Sequence, residues 1–324
     1  MLKKFGPAAL AAIALLMPAC SSNSGSTTTT NGTTTAAKTT AGVKSPGPKT
    51  IGVSIQDLEA QFYQQMEAGM KSEAAKFGYK VTFVDASRDS ARQQSQVEDF
   101  ISRKVDAIIL TPYDSQAIGS AIVEANGANI PVFTADIANA SKQGVVVSHV
   151  ASNNVQGGQQ AGMLMCNALH GSGSVAIIDE PEVTSVQDRV KGFRMALAQK
   201  CPNVKVVADV DSGGTRTKAN ADTGDVLQRY KDLKGIFGIN DDSALGAVAA
   251  IQAAGMKGIA VVGYDASPEA RTAIANGSMV GDAIQHPDVI GAKTIDVIHD
   301  YFSGKTVPAR IDVPVGTYTK ANAK

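Results

Sequence analysis

The chain has 324 residues, and Lys+Arg and Asp+Glu each total 30, so the net charge is zero. That balance gives no basic excess for binding nucleic acid. The roughly 275 residues from Thr50 onward exceed one ordinary core and predict two lobes.

The N-terminus opens with Lys3 and Lys4 and an apolar run from Pro7 to Leu16. A membrane-spanning helix needs about 20 apolar residues, so residues 1–19 read as a secretory signal peptide. Cys20 ends the apolar segment. Residues 21–49 are rich in Ser, Thr, Asn and Gly and close on "SPGPK". Such a stretch cannot bury enough apolar surface to offset its ordering entropy. The small residue Ala19 before Cys20 resembles the lipobox of bacterial lipoproteins, although Met17 and Pro18 depart from it. This resemblance implies a lipidated Cys20 that anchors the chain outside the cytoplasm, on a bacterial cell membrane. Residues 20–49 would then be a flexible tether with ends about 30 Å apart. The alternative is an ordinary signal cut near Ala19 that releases a soluble secreted protein.

Beyond Thr50 the pattern alternates. Short β-rich runs occur at "TIGVSI", "KVTFVDA", "DAIILTP", "IPVFTA" and "GVVVSHV". Helical stretches lie between them: "QFYQQMEAGMKSEAAKFG", "ARQQSQVEDFISRK" and "SQAIGSAIVEANGA". The second half repeats the plan with "SVAIID", "VKVVADV", "GIFGIN" and "IAVVGYDA", with helices near 155–169, 187–200, 217–230, 243–254 and 268–276. Alternating strands and helices predict parallel sheets with right-handed crossovers, and continuous apolar strands predict helices on both faces. The expected fold is α/β, with two similar doubly wound parallel-sheet lobes.

Open parallel sheets bind ligands beyond the carboxyl ends of their strands. The residues there are polar: Gln56 and Asp57, Asp136, Asp179, Asn240 and Asp265. Each could be a helix N-cap instead. Together they predict a polar cleft between the lobes.

Four motifs then occur in order: "VVSHVASNNVQGGQQAG", "FGINDDSALGAVAAIQAAG", "VVGYDASPEA" and "AIQHPDVIGAK". Through them the chain resembles the type I periplasmic sugar-binding proteins, in particular the ribose-binding group. The resemblance implies two lobes joined by three crossovers, near Ser152, Gln285 and Pro314. The N-terminal lobe would be 50–152 plus 286–314, and the C-terminal lobe 153–285 plus 315–324. It also implies a small sugar or polyol ligand. Phe62 and Tyr63 match the family's aromatic pair, and Asp136, Arg189, Asn240, Asp265 and Gln285 match its polar contacts. Planar carboxylates, amides and guanidinium groups suit vicinal hydroxyls. There are departures. Glu59–Ala60 replaces the usual asparagine, and Glu59 is either an added carboxylate contact or a solvated loop charge. Asp136–Ile137 lacks an expected arginine, and Gly213–Gly214 lacks a ring ahead of Arg216. One guanidinium and one stacking ring are thus missing, which turns the expectation toward a linear polyol, a deoxysugar or another ring size.

The implied partners are an ATP-binding-cassette permease and its ATPase subunit, with this chain a monomer that uses no cofactor. No G-x-x-x-x-G-K-[ST] occurs here, so ATP belongs to that partner. An enzyme is not expected. His149, His170, His286 and His299 lack metal-site spacing, there is no G-x-S-x-G turn, and "GSGSVA" precedes a strand instead of following one. A lac-repressor-type regulator would need a helix-turn-helix where the signal peptide stands. A sensor that presents its ligand to a chemoreceptor or histidine kinase is the remaining alternative. The remaining two cysteines, Cys166 and Cys201, are placed at the amino edge of the second sheet, where an exported protein favours a disulfide; the alternative is two buried thiols on different sheet faces.

Overall fold

The structure, a computed structural model, describes residues 47–323; the signal segment, Cys20 and most of the Ser/Thr-rich stretch lie outside them. The chain begins with β1 (Thr50–Ile55), α1 (Gln61–Lys76), β2 (Lys80–Asp85), α2 (Ser90–Ser102), β3 (Ala107–Thr111), α3 (Gly119–Gly127), β4 (Val132–Ala135) and β5 (Val146–Ser152). It continues with α4 (Asn154–Ala168), β6 (Ser172–Asp179), α5 (Thr184–Lys200), β7 (Asn203–Asp211), α6 (Arg216–Arg229) and β8 (Leu233–Gly238). Then follow α7 (Asp241–Ala253), β9 (Ala260–Asp265), α8 (Pro268–Asn276), β10 (Gly281–Ile284), α9 (Pro287–Phe302), β11 (Arg310–Val313) and β12 (Gly316–Thr319).

Two six-stranded sheets result, in the orders β11-β5-β4-β3-β1-β2 and β12-β10-β9-β8-β6-β7. The α/β fold class expected from the alternating pattern is the one observed. The chain passes between the sheets after β5, after β10 and after β11. All strand pairs are parallel except β10 with β12, which is antiparallel. The alternating pattern did not single out β10, β11 and β12 as strands. Each has only four residues, and GDAI, RIDV and GTYT lack the mostly apolar run that marks the equally short β4.

Side-chain alternation builds the layers. Ile51, Val53 and Ile55 of β1, with Ala107 and Ile109 of β3, pack beneath α1 and α9 around Met66, Met70 and Ile290. The alternate residues Ile108 and Leu110 face Val97 and Phe100 of α2 and Ala121 and Ile122 of α3. The second sheet is covered likewise on both faces. Burying each large aliphatic side chain contributes roughly 1.5–3 kcal/mol, so both sheets are fixed independently of any ligand.

Helices α4 and α5 pack unusually closely. A side chain at Gly158 would run into the backbone of Arg189, and one at Gly192 into the backbone of Val155. This contact brings Arg189 under the end of β9. At the far end of the helix pair, a disulfide joins Cys166 to Cys201 with Cα atoms 5.9 Å apart.

Closing a loop of 35 residues with that bond should stabilise the fold by about 3–4 kcal/mol in the chain-entropy account. Paired Cys166→Ser and Cys201→Ser substitutions should therefore lower the melting temperature by several degrees. Calorimetry checks the loss, and an unreduced mass showing two free thiols at these positions would contradict the bond.

Candidate functional site

The carboxyl ends of the strands converge on a cleft of about 220 Å³. Its lining includes Glu59, Phe62, Tyr63 and Asp136 from the first lobe and Arg189, Asn240 and Asp265 from the second. The structure thus brings together Glu59 and all but one of the residues matched to the family's contacts. The exception is Gln285. It stands behind Asp265 and donates from Nε2 to Asp265 Oδ1 at 2.6 Å, so its place is that of a brace. Glu59 is exposed at the rim.

Local backbone conformation aims the two acids. Asp136 has φ of 63° and Asp265 has φ of 114°. Non-glycine residues avoid this region, and strain of roughly 1–3 kcal/mol per residue collects at functional sites. Each strand ends in a sharp reversal that turns the carboxylate into the cleft. Asn240 combines both readings open to it. Its Oδ1 caps α7 by accepting from the Ser243 amide at 2.8 Å, while Nδ2 donates to the Gly214 carbonyl at 3.0 Å.

On the first lobe, Tyr63 is buried and holds a short chain of polar groups. Gln56 Nε2 donates to the Tyr63 hydroxyl at 2.6 Å, and that hydroxyl donates to Asp136 Oδ2 at 3.3 Å. Burial and then Asp136 push the Tyr63 phenol well up, so it remains a donor. Phe62 meets Tyr63 edge to face at 5.1 Å between ring centres and turns toward the cleft.

On the second lobe, Arg189 is held on several sides. Nε donates to Asn154 Oδ1 and Nη1 to the Ile239 carbonyl, both at 2.9 Å. The guanidinium lies 4.1 Å over the centre of the Tyr264 ring and 4.0 Å from Asp265 Oδ1. Burial pushes Asp265 and Asp136 up, and Arg189 pulls each back toward the charged form.

Several lining residues escaped the sequence-based set, among them the charged Arg88, Glu180, Arg216, Asp241 and Asp242. Arg88 brings a guanidinium to the lining from the first lobe, on a different turn from Ile137. Ile137 itself is fully buried, in one apolar cluster with Val183 and Val186 of the second lobe. Asp179 also departs from expectation. It is not among the lining residues; its Oδ1 accepts from the Glu180 amide at 2.8 Å, and the next side chain faces the cleft. Among the described residues no three His, Cys, Asp or Glu side chains are grouped to hold a metal ion.

Beneath the cleft, Asp241 lies beside Asp282 of β10. Asp241 Oδ2 accepts from the Ser267 amide at 2.6 Å. Burial and then the neighbouring Asp282 push Asp241 well up; burial, with Asp265 nearby, pushes Asp282 up to about 7. An unfolded aspartate titrates near 3.9. Between about pH 4 and 7 the folded chain therefore keeps a proton that the unfolded chain has lost, and stability from this pair falls as pH rises. Asp282→Asn, which stays neutral, should melt higher than the parent at pH 7.5, and the gap should close toward pH 4. Calorimetry across that range checks it; a gap independent of pH would mean that the pair does not titrate there.

Known proteins share both fold and sequence with this chain. The periplasmic binding protein domain family matches residues 51–306. The ribose import binding protein RbsB of Bacillus subtilis is 35% identical over 272 residues, covering 84% of this chain and 87% of that protein. A solved ABC transporter solute binding protein from Mycobacterium smegmatis, with bound glycerol, gives a TM-score of 0.80 at 30% identity, over 86% of this chain and 96% of that one. Another from Bacillus halodurans, with bound myo-inositol, gives 0.79 at 29% identity, over 86% and 97%. Two crossed-over parallel sheets, a polar cleft at their strand ends and this breadth of match lead to one conclusion: the chain belongs to the type I periplasmic binding protein family.

Proposed function

We propose that this chain captures a small neutral sugar or polyol in the interlobe cleft and delivers it to an ABC-type import permease. The observation that carries this reading is the surplus of acceptors in the cleft. Asp136 Oδ1 and Gln56 Oε1 are buried and receive no hydrogen bond from the protein. An unsatisfied buried polar group costs about 1–3 kcal/mol. Ligand hydroxyls supply the donors, and their oxygens accept in turn from Arg189. An anionic ligand is disfavoured, because the acids Glu59, Asp136, Glu180, Asp241, Asp242 and Asp265 outnumber Arg88, Arg189 and Arg216 in the lining.

Shape points the same way. The 220 Å³ cleft is smaller than the ~300–1,000 Å³ of drug-sized sites, which suits one ring or a short polyol. Phe62 offers an aromatic face to C–H bonds. The relatives support the class: one is named for ribose import, and two neighbouring structures hold glycerol and myo-inositol. Those names also support an import permease as the partner. A lipid on Cys20 would keep the receptor near that permease, where tethering raises its effective concentration.

A thermal-shift panel of pentoses, hexoses and C4–C6 polyols tests the ligand class. At least one member should raise the melting temperature, since a ligand at 100 times its Kd adds about 2.7 kcal/mol. A silent panel together with a response to amino acids or peptides would overturn the carbohydrate reading. Asp265→Ala should weaken binding of the responding ligand about 30-fold or more, because removing one partner of a buried charged hydrogen bond costs roughly 2–5 kcal/mol. Anchoring has its own test. Cys20→Ala should move the protein from the membrane fraction to the soluble one, and equal membrane retention of both forms would remove the anchor from the account.

A further inference from the structure

Arg88 belongs to the turn between β2 and α2, where Ser87 and Arg88 have φ of 51° and 57°. The turn is held firmly. The Arg88 amide donates to the Gln56 carbonyl at 2.8 Å, and the Ser87 amide donates to Asp85 Oδ1 at 2.8 Å. This conformation carries the Arg88 side chain over the mouth of the cleft.

Its guanidinium serves both lobes. Nε donates to Asp57 Oδ2 on its own lobe at 2.9 Å. Nη1 donates across the cleft to Glu180 Oε1 at 2.9 Å and to the Gly213 carbonyl at 2.5 Å. Arg88–Glu180 is the one ion pair between the lobes among the described residues. The Glu180 side chain is only 3% exposed. Burial pushes its carboxyl up, and Arg88 followed by Arg189 opposes that push. A second contact lies nearby: the Ala138 amide donates to Thr184 Oγ1 at 3.0 Å, and the Thr184 amide to Ser115 Oγ at 3.1 Å. Glu180 and Thr184 lie on the same β6–α5 connection.

If the lobes part, Arg88 keeps Asp57, but Glu180 and the Gly213 carbonyl lose their donor to water. The bridge therefore exists only when the lobes are together, and it contains no ligand atom. We propose that Arg88 and Glu180 form a charged latch that favours lobe closure in its own right, with Arg88 as the residue that couples capture to closure. Both side chains also line the cleft, so the latch stands beside the captured molecule and slows its release. The second effect rests on the binding reading above; the first does not.

The test uses the full chain without added solute, so it is independent of which sugar binds. Small-angle scattering should find Arg88→Ala and Glu180→Gln more extended than the parent. Each should have a closed-to-open ratio about tenfold lower, as expected for loss of one charge-assisted hydrogen bond. The double variant should match Arg88→Ala, because Glu180 has no partner across the cleft once Arg88 is gone, while Glu180→Gln alone keeps the bond to the Gly213 carbonyl. Molar salt should move the parent toward the variants, since part of the pair is reachable by ions. Circular dichroism verifies that the variants are folded. Scattering profiles identical for the parent and Arg88→Ala would overturn the latch, as would additive effects in the double variant. If D-ribose or myo-inositol binds, its release from Arg88→Ala should be faster by a similar factor. Weakened binding with unchanged scattering would make Arg88 a plain ligand contact and sink the proposal.

Discussion

A buried positive charge organises this molecule. Arg189 has almost no access to water, yet its guanidinium remains charged because Asn154, the Ile239 carbonyl, the Tyr264 ring and Asp265 surround it. Removing a charge from water is costly unless partners replace the solvent. Here the partners come from the start of α4, the end of β8 and the end of β9, so satisfying one side chain fixes three elements of the second lobe. The close contact of α4 and α5 at Gly158 and Gly192 is what lets the arginine reach them. Its field opposes the upward push that burial exerts on Asp136 and Asp265.

The two lobes solve the same problem with different chemistry. The second lobe presents a fixed cation flanked by acids. The first presents acceptors linked through a neutral phenol, with Asp136 held by Tyr63 and Tyr63 held by Gln56. Apolar packing joins the lobes as well, through Ile137 in one cluster with Val183 and Val186.

Much of this was legible in the residues. Runs such as "DAIILTP" are apolar on both faces and alternate with helical segments, which is enough to specify two covered parallel sheets. The rule that ligands lie beyond strand ends led directly to Asp136, Asn240 and Asp265. It failed by one residue at Asp179, because a side chain that bonds the following amide leaves the next position, Glu180, to face the cleft. Arg88 was hidden for a different reason. In "DASRDSAR" it looks like any charge in a turn, and only the left-handed backbone at Ser87 and Arg88 sends it across. Gln285 was found by resemblance, but its amide supports a carboxylate instead of lining the cleft. Hydrogen-bond direction of that kind has no trace in residue type or spacing.

The order in which the strands are joined also governs how the chain matures. β11, near residue 313, pairs with β5, made some 160 residues earlier, and β12 completes the second sheet at its last edge. A sheet edge that waits for a distant segment bears the loop-closure entropy before any contact repays it, which slows assembly. Neither lobe is whole until nearly the entire chain has been synthesised. Such delay keeps the chain unfolded for longer, which suits a protein that works outside the cytoplasm. The same threading that makes the hinge thus postpones stable folding until the C-terminus is available.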